Sequence, residues 1–150
     1  MATRGPGGTQ TTEILGRPSV FVDTSAWAAC FLPRDLRHAA ASERMIEVLE
    51  GSRLYTSDYV FSETVTLVRS RGSVTMALQA GEALRRHPSL VLLEVTPEVR
   101  EEAWRLFAKF RDQDLSFADC TSFALITRNR IAKAFAYDRH FRLLGREIVG

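Results

Sequence analysis

Apolar and polar positions alternate along the chain between short apolar runs and longer amphipathic stretches, starting at Ser19. Val20, Phe21 and Val22 predict a short buried strand, followed by a helix over Thr24 to Phe31 that breaks at Pro33. A second helix is predicted from about Leu36 to Leu49, with Gly51 as its stop. Arg53 to Ser57 predicts another short strand. The stretch DYVFSETVTLVRSR that follows has its apolar residues at roughly helical spacing and ends at Gly72. Ser73 caps a further helix to about Arg86, closed by Pro88. Leu90 to Val95 is the clearest strand. Thr96 then offers an N-cap and Pro97 a first helical residue, with acidic residues in the first turn. A last helix is predicted from Ser116, a strand in KAFAYD, and a short final strand in REIVG.

Strands separated by helices pair in parallel through right-handed crossovers. The expected fold is therefore α/β, a three-layer α/β/α sandwich with a mainly parallel central sheet. At 150 residues the chain suits one well-cored domain. Residues 1–18 hold four of the nine glycines and show no periodicity, so they are read as a flexible extension to a domain spanning 19–150.

Composition mostly excludes. No apolar run approaches the roughly 20 residues that span a bilayer, and the N-terminus lacks a signal-peptide core. Cys30 and Cys120 lie far apart with no Cys-x-x-Cys pair, against a disulfide scaffold or zinc knuckle. A cytoplasmic home is expected. The net charge of +2 does not by itself argue for nucleic acid, and although only Lys109 and Lys133 among the 20 basic residues are lysines, a GC-rich genome gives the same bias. No P-loop, dinucleotide fingerprint or nucleophile elbow occurs.

The chemistry lies in four carboxylates. Asp23 directly follows the first strand, and Asp138 follows the apolar run ending at Tyr137. Asp119 falls in the first turn of the helix begun by Ser116, and Glu63 falls early in the helix after RLYTS. In a parallel α/β sheet, strand C-terminal ends and the following helix starts share one edge, where such folds place ligands. Each residue alone reads equally as a helix cap or a solvated acid, and Ser116-x-x-Asp119 is close to a capping box. Four like charges on one edge are costly unless a cation joins them. Oxygen ligands select Mg²⁺ or Mn²⁺. His38, His87 and His140 lack paired zinc spacing; His140 follows Asp138 closely and could approach the site, but is read first as a surface or packing residue.

The ordered segments VFVDTSAW, SETVTLVR, LSFADCTSFAL and AFAYDRHF resemble the PIN-domain ribonucleases, in particular the VapC-type toxins of bacterial toxin–antitoxin pairs. The resemblance covers about Ser19 to Gly150. It implies a parallel-sheet sandwich and metal-dependent endonucleolytic cleavage of RNA, leaving 5′-phosphate and 3′-hydroxyl ends. It further implies Asp23, Glu63, Asp119 and Asp138 as catalytic, metal-holding residues, with Thr24 or Ser25 orienting the site. The implied partners are RNA, a cognate antitoxin and a second copy in a homodimer, with no membrane. Arg34, Arg37, Arg139 and Arg142 flank the edge as candidate RNA contacts, and Asp114 is an extra acid on the surface or behind the site. Two other functions remain: another metal-dependent phosphoryl-transfer enzyme, or a non-catalytic interaction module on a PIN-like fold. The aspartyl-phosphate class needs Asp-x-Asp after the first strand, and Ser25 occupies the second position.

Overall fold

A computed structural model of the chain describes residues 16–150. Five strands form one sheet: β1 (Ser19–Val22), β2 (Arg53–Ser57), β3 (Leu90–Leu93), β4 (Lys133–Phe135) and β5 (Glu147–Val149). Their spatial order is β3-β2-β1-β4-β5, with every neighbouring pair parallel. The crossovers carry six α-helices: α1 (Thr24–Phe31), α2 (His38–Gly51), α3 (Asp58–Arg71), α4 (Val74–Arg86), α5 (Pro97–Lys109) and α6 (Phe117–Arg128). A 3-10 helix, Arg139–Leu144, joins β4 to β5 and ends at Gly145 in the left-handed region (φ 64°). The expected parallel α/β sandwich is what forms. Of the expected extension 1–18, all but the last three residues lie outside the described residues. Within those three, the Pro18 carbonyl accepts a hydrogen bond from Arg53 N–H at 2.9 Å.

The central strand β1 is buried along its whole length, as VFV between two helical layers requires. Phe21, Leu54, Phe135 and Phe141 are the largest fully buried side chains around it. Phe141 meets Phe123 edge to face at 5.2 Å, which locks the 3-10 helix onto α6. Three helix starts use the hydroxyl caps read from the sequence, Ser73 accepting from Met76 N–H, Thr96 from Val99 and Ser116 from Asp119, and Ser57, read only as the end of a strand, also caps by accepting from Val60 N–H.

Three boundaries differ from expectation. Helix α2 starts at His38 rather than Leu36, because the Asp35 carboxylate accepts from Arg37 N–H at 2.8 Å and holds a turn there. Strand β3 stops at Leu93 rather than Val95, because Val95 N–H turns away from the sheet to the Asp58 carboxylate at 3.1 Å. Strand β4 stops at Phe135, so Asp138 does not directly follow its strand as Asp23 does. Ala136 and Tyr137 bridge that gap, donating to Val149 O at 3.2 Å and Ser25 Oγ at 2.9 Å.

The strand order turns back between β1 and β4: successive crossovers run outward through β2 and β3, then return to β4 on the other side of β1. Such a switch point opens a crevice beyond the strand C-termini.

Candidate active site

The crevice is a cleft of about 610 Å³, and Asp23, Glu63, Asp119 and Asp138 all line it. Asp23 stands at its floor. It leaves β1 in an extended conformation, donates its N–H to Phe135 O at 2.9 Å, and caps α1. Its Oδ2 accepts from Ser25 N–H at 3.1 Å and Ser25 Oγ–H at 2.7 Å, while Ser25 Oγ accepts from Tyr137 N–H at 2.9 Å. One hydroxyl thus joins the ends of β1 and β4. Behind it, Trp27 Nε1–H donates to Thr56 Oγ1, which donates to Val22 O, tying β2 to the residue before Asp23. Asp23 is only 4% exposed, and this burial raises its pKa to about 7; the Ser25 bonds oppose the rise and the nearby Asp119 charge adds to it.

Glu63 enters from the second turn of α3 and accepts from Thr24 Oγ1–H at 3.3 Å. Burial raises its pKa, with the Asp119 charge a further cause. Asp119 completes a capping box with Ser116: its N–H donates to Ser116 Oγ at 3.0 Å and its carboxylate accepts from Ser116 N–H at 3.2 Å. Burial raises its pKa as well; the Ser116 bonds oppose this and the Asp138 charge adds to it. Asp138 caps the 3-10 helix, accepting from His140 N–H at 2.9 Å. Three of the four acids are therefore caps in fact, and the cap places each at the cleft. The two readings of the sequence coincide.

The turn made by Asp138 swings His140 back over the cleft, correcting its reading as a surface or packing residue. Its Nδ1 lies 2.8 Å from Asp138 Oδ1, close enough for an ion pair yet outside hydrogen-bond geometry. One ligand atom each from Asp119, Asp138 and His140 lie within 4.8 Å of one another. Asp114 also lines the cleft, as does Asp35. Of the four arginines expected to flank the edge, Arg37 alone lines the cleft; its guanidinium sits 5.0 Å from the centre of the Tyr137 ring. Arg34 lines a neighbouring apolar pocket, and Arg139 and Arg142 do not line the cleft. Arg71 does, and sequence reasoning missed it. Among the described residues neither Arg37 nor Arg71 is in a salt bridge, although six carboxylates share their cleft.

This donor set fits a hard divalent cation. Carboxylate oxygens dominate it, burial and mutual repulsion raise three of the four acids, and no arginine neutralises them. The nearby thiol, Cys120, is buried and pushed up to about 11, so it offers no thiolate for a softer metal.

The PIN domain family model matches residues 20–147, nearly the whole described chain. The chain belongs to the PIN-domain family. Within it, this PIN domain is 33% identical over 126 residues to the 23S rRNA-specific endonuclease VapC20 of Mycobacterium tuberculosis, in both strain CDC 1551 and strain H37Rv. The match covers 84% of this chain and 94% of that protein. The crystal structure of M. tuberculosis VapC20, described as a sarcin-ricin loop cleaving toxin, superposes with a TM-score of 0.78 at 32% identity. That superposition covers 85% of this PIN domain and 95% of VapC20. Among the described residues, no helix is long and apolar enough to cross a membrane.

Proposed function

We propose that this chain is a divalent-metal-dependent endoribonuclease and the toxin of a type II toxin–antitoxin pair. The observation that carries the reading is the convergence of Asp23, Glu63, Asp119 and Asp138 in one cleft that also holds two arginines outside any salt bridge. Likeness to VapC20 over most of both chains supports the RNA substrate and the toxin role.

Asp119 and Asp138, with Asp23 and Glu63 beside them, would hold Mg²⁺ or Mn²⁺. A bound ion of this kind supplies Lewis-acid assistance to phosphodiester hydrolysis and lowers the pKa of the attacking water. The protein's own part is positioning. Ser25 fixes Asp23 to the β4 end, Thr24 steadies Glu63, and the capping box holds Asp119. Arg37 and Arg71 meet the phosphate, where charge develops in the transition state. Hydrolysis in this sense leaves 5′-phosphate and 3′-hydroxyl ends.

An RNA target sited in the ribosome makes the cytoplasm the working compartment. The apolar pocket lined by Leu32, Pro33, Leu36, Gly72 and Met76 shares Asp35 and Arg71 with the cleft, and suits an apolar segment of an antitoxin. Exposed Val74 and Leu78 on α4 suit a homodimer contact.

The test is cleavage of 23S rRNA, starting with its sarcin–ricin loop, by purified protein with Mg²⁺, with Mn²⁺ and with EDTA. Discrete cuts that need the ion and carry 5′-phosphates are expected. Cleavage undiminished in EDTA, or no cleavage of any RNA by protein free of antitoxin, would overturn the reading.

A further inference from the structure

One ring nitrogen at the cleft is buried without a hydrogen-bond partner. His140 Nδ1 is shut off from solvent and lies 2.8 Å from Asp138 Oδ1, outside hydrogen-bond geometry. The other two histidines have theirs engaged: His38 Nδ1–H donates to Ala29 O at 2.8 Å, and His87 Nδ1 accepts from Ser89 N–H at 3.2 Å. Buried polar atoms are nearly always paired, and an exception asks what completes it. Asp138 does not. Its Oδ1 already accepts the His140 backbone N–H at 2.9 Å, so an unprotonated ring nitrogen beside the same oxygen sets two lone pairs against each other. A cation shared by both atoms removes that conflict. Ligands on neighbouring corners of an octahedron with bonds near 2.1 Å stand roughly 3 Å apart, close to the separation of Nδ1 and Oδ1. Ligand atoms of Asp119, Asp138 and His140 all lie within 4.8 Å of one another. The frame around them is held from behind: Phe141, the residue after His140, is buried and packs on Phe123 of α6, the helix that carries Asp119.

We propose that His140 Nδ1 is a direct ligand of the cation held by Asp119 and Asp138, and that this nitrogen makes the site prefer Mn²⁺ to Mg²⁺. The carboxylates alone do not choose between the two ions, since both take oxygen ligands. Imidazole does choose. Mg²⁺ binds through oxygen and keeps several of its waters, whereas imidazole is a ligand of first-row transition ions. With His140 the site offers Mn²⁺ one more protein ligand than it offers Mg²⁺. The competing role is a support for Asp138, with the ring steadying that carboxylate and never touching the ion. A support would serve both ions equally.

The inference rests on the metal-dependent nuclease reading, and its test separates the two. Protein loaded with Mn²⁺ in a nitrogen-free buffer is examined by pulsed electron paramagnetic resonance, which detects a nitrogen bonded to the ion. Wild type, His140→Ala and His140→Phe are compared, and calorimetric titration gives the affinity of each for Mn²⁺ and for Mg²⁺. Wild type should show the nitrogen coupling of a bound imidazole, and both variants should lose it. Mn²⁺ affinity should fall about tenfold or more in the variants, while Mg²⁺ affinity changes less than about twofold. The wild-type spectrum does not depend on how well either variant folds. Bound Mn²⁺ without nitrogen coupling in wild type overturns the ligand and leaves the carboxylate site and the nuclease reading intact. Equal losses for the two ions overturn the preference and make His140 a support for Asp138. Wild type that binds no Mn²⁺ overturns the inference too, and the nuclease reading falls with it only if 23S rRNA is also uncut in Mg²⁺.

Discussion

Helix α5 begins with Thr96 as its cap and Glu98 in its first turn; α6 begins with Ser116 as its cap and Asp119 in its first turn. The local devices match, yet the two carboxylates respond in opposite directions. Glu98 is held below the usual range by bonds from its own backbone N–H and the Thr96 hydroxyl, as expected at a solvated helix start. Asp119 has a comparable pair of bonds from Ser116 and is nevertheless raised, because burial and the Asp138 charge outweigh them. The difference is one of address. Helix α5 follows the edge strand β3, whereas α6 opens onto the crevice where the strand order turns back. A cap at the first is structure; on the proposed function, a cap at the second is also a site.

The largest contrast should appear in activity. Asp119→Asn is expected to reduce RNA cleavage by on the order of 10²–10³-fold or more, while Glu98→Gln changes it less than about twofold, both read as initial rates in Mg²⁺. Comparable losses in the two would break the distinction.

Stability against pH sharpens it. A folded pKa near 7 against an unfolded value of 3.8 means that the folded state prefers protonated Asp23. That preference favours the fold fully below pH ~4 and is lost as pH rises through 7. Asn at this position does not titrate, so Asp23→Asn should gain on wild type between pH 4 and pH 8 by about 2–4 kcal/mol. Urea unfolding in EDTA at the two pH values measures it, and a constant difference would contradict the assignment.

Ser25→Ala removes the hydroxyl that joins Asp23 to Tyr137 N–H. It should cost about 1–3 kcal/mol of stability and about 10–100-fold in activity, the usual effect of a residue that orients metal ligands. The smallest effect returns to the two caps. Thr96→Ala and Ser116→Ala should each destabilise by about 1 kcal/mol, and only Ser116→Ala should slow cleavage.

The elements were legible wherever local chemistry decides them. Hydroxyl caps at Ser73, Thr96 and Ser116, Pro97 at its helix start and the apolar run of β1 all act within a few residues. The shared edge of the four carboxylates was legible because parallel topology assigns it. Arg71 was not, since it ends α3 and reaches the cleft only through the way that helix packs. His140 depends on the backbone turn that Asp138 closes. The late start of α2 and the early end of β3 come from carboxylates binding backbone N–H groups two and 37 residues away, and only the first distance is visible in a local pattern.

The most direct measurement is calorimetric titration of Mn²⁺ into wild type, Glu98→Gln and Asp119→Asn at one pH. If Asp119 belongs to a metal site and Glu98 does not, wild type and Glu98→Gln will bind alike, and Asp119→Asn will bind at least tenfold more weakly. Equal binding by all three, or a loss shared by Glu98→Gln, would show that the carboxylates at the end of the sheet are caps alone.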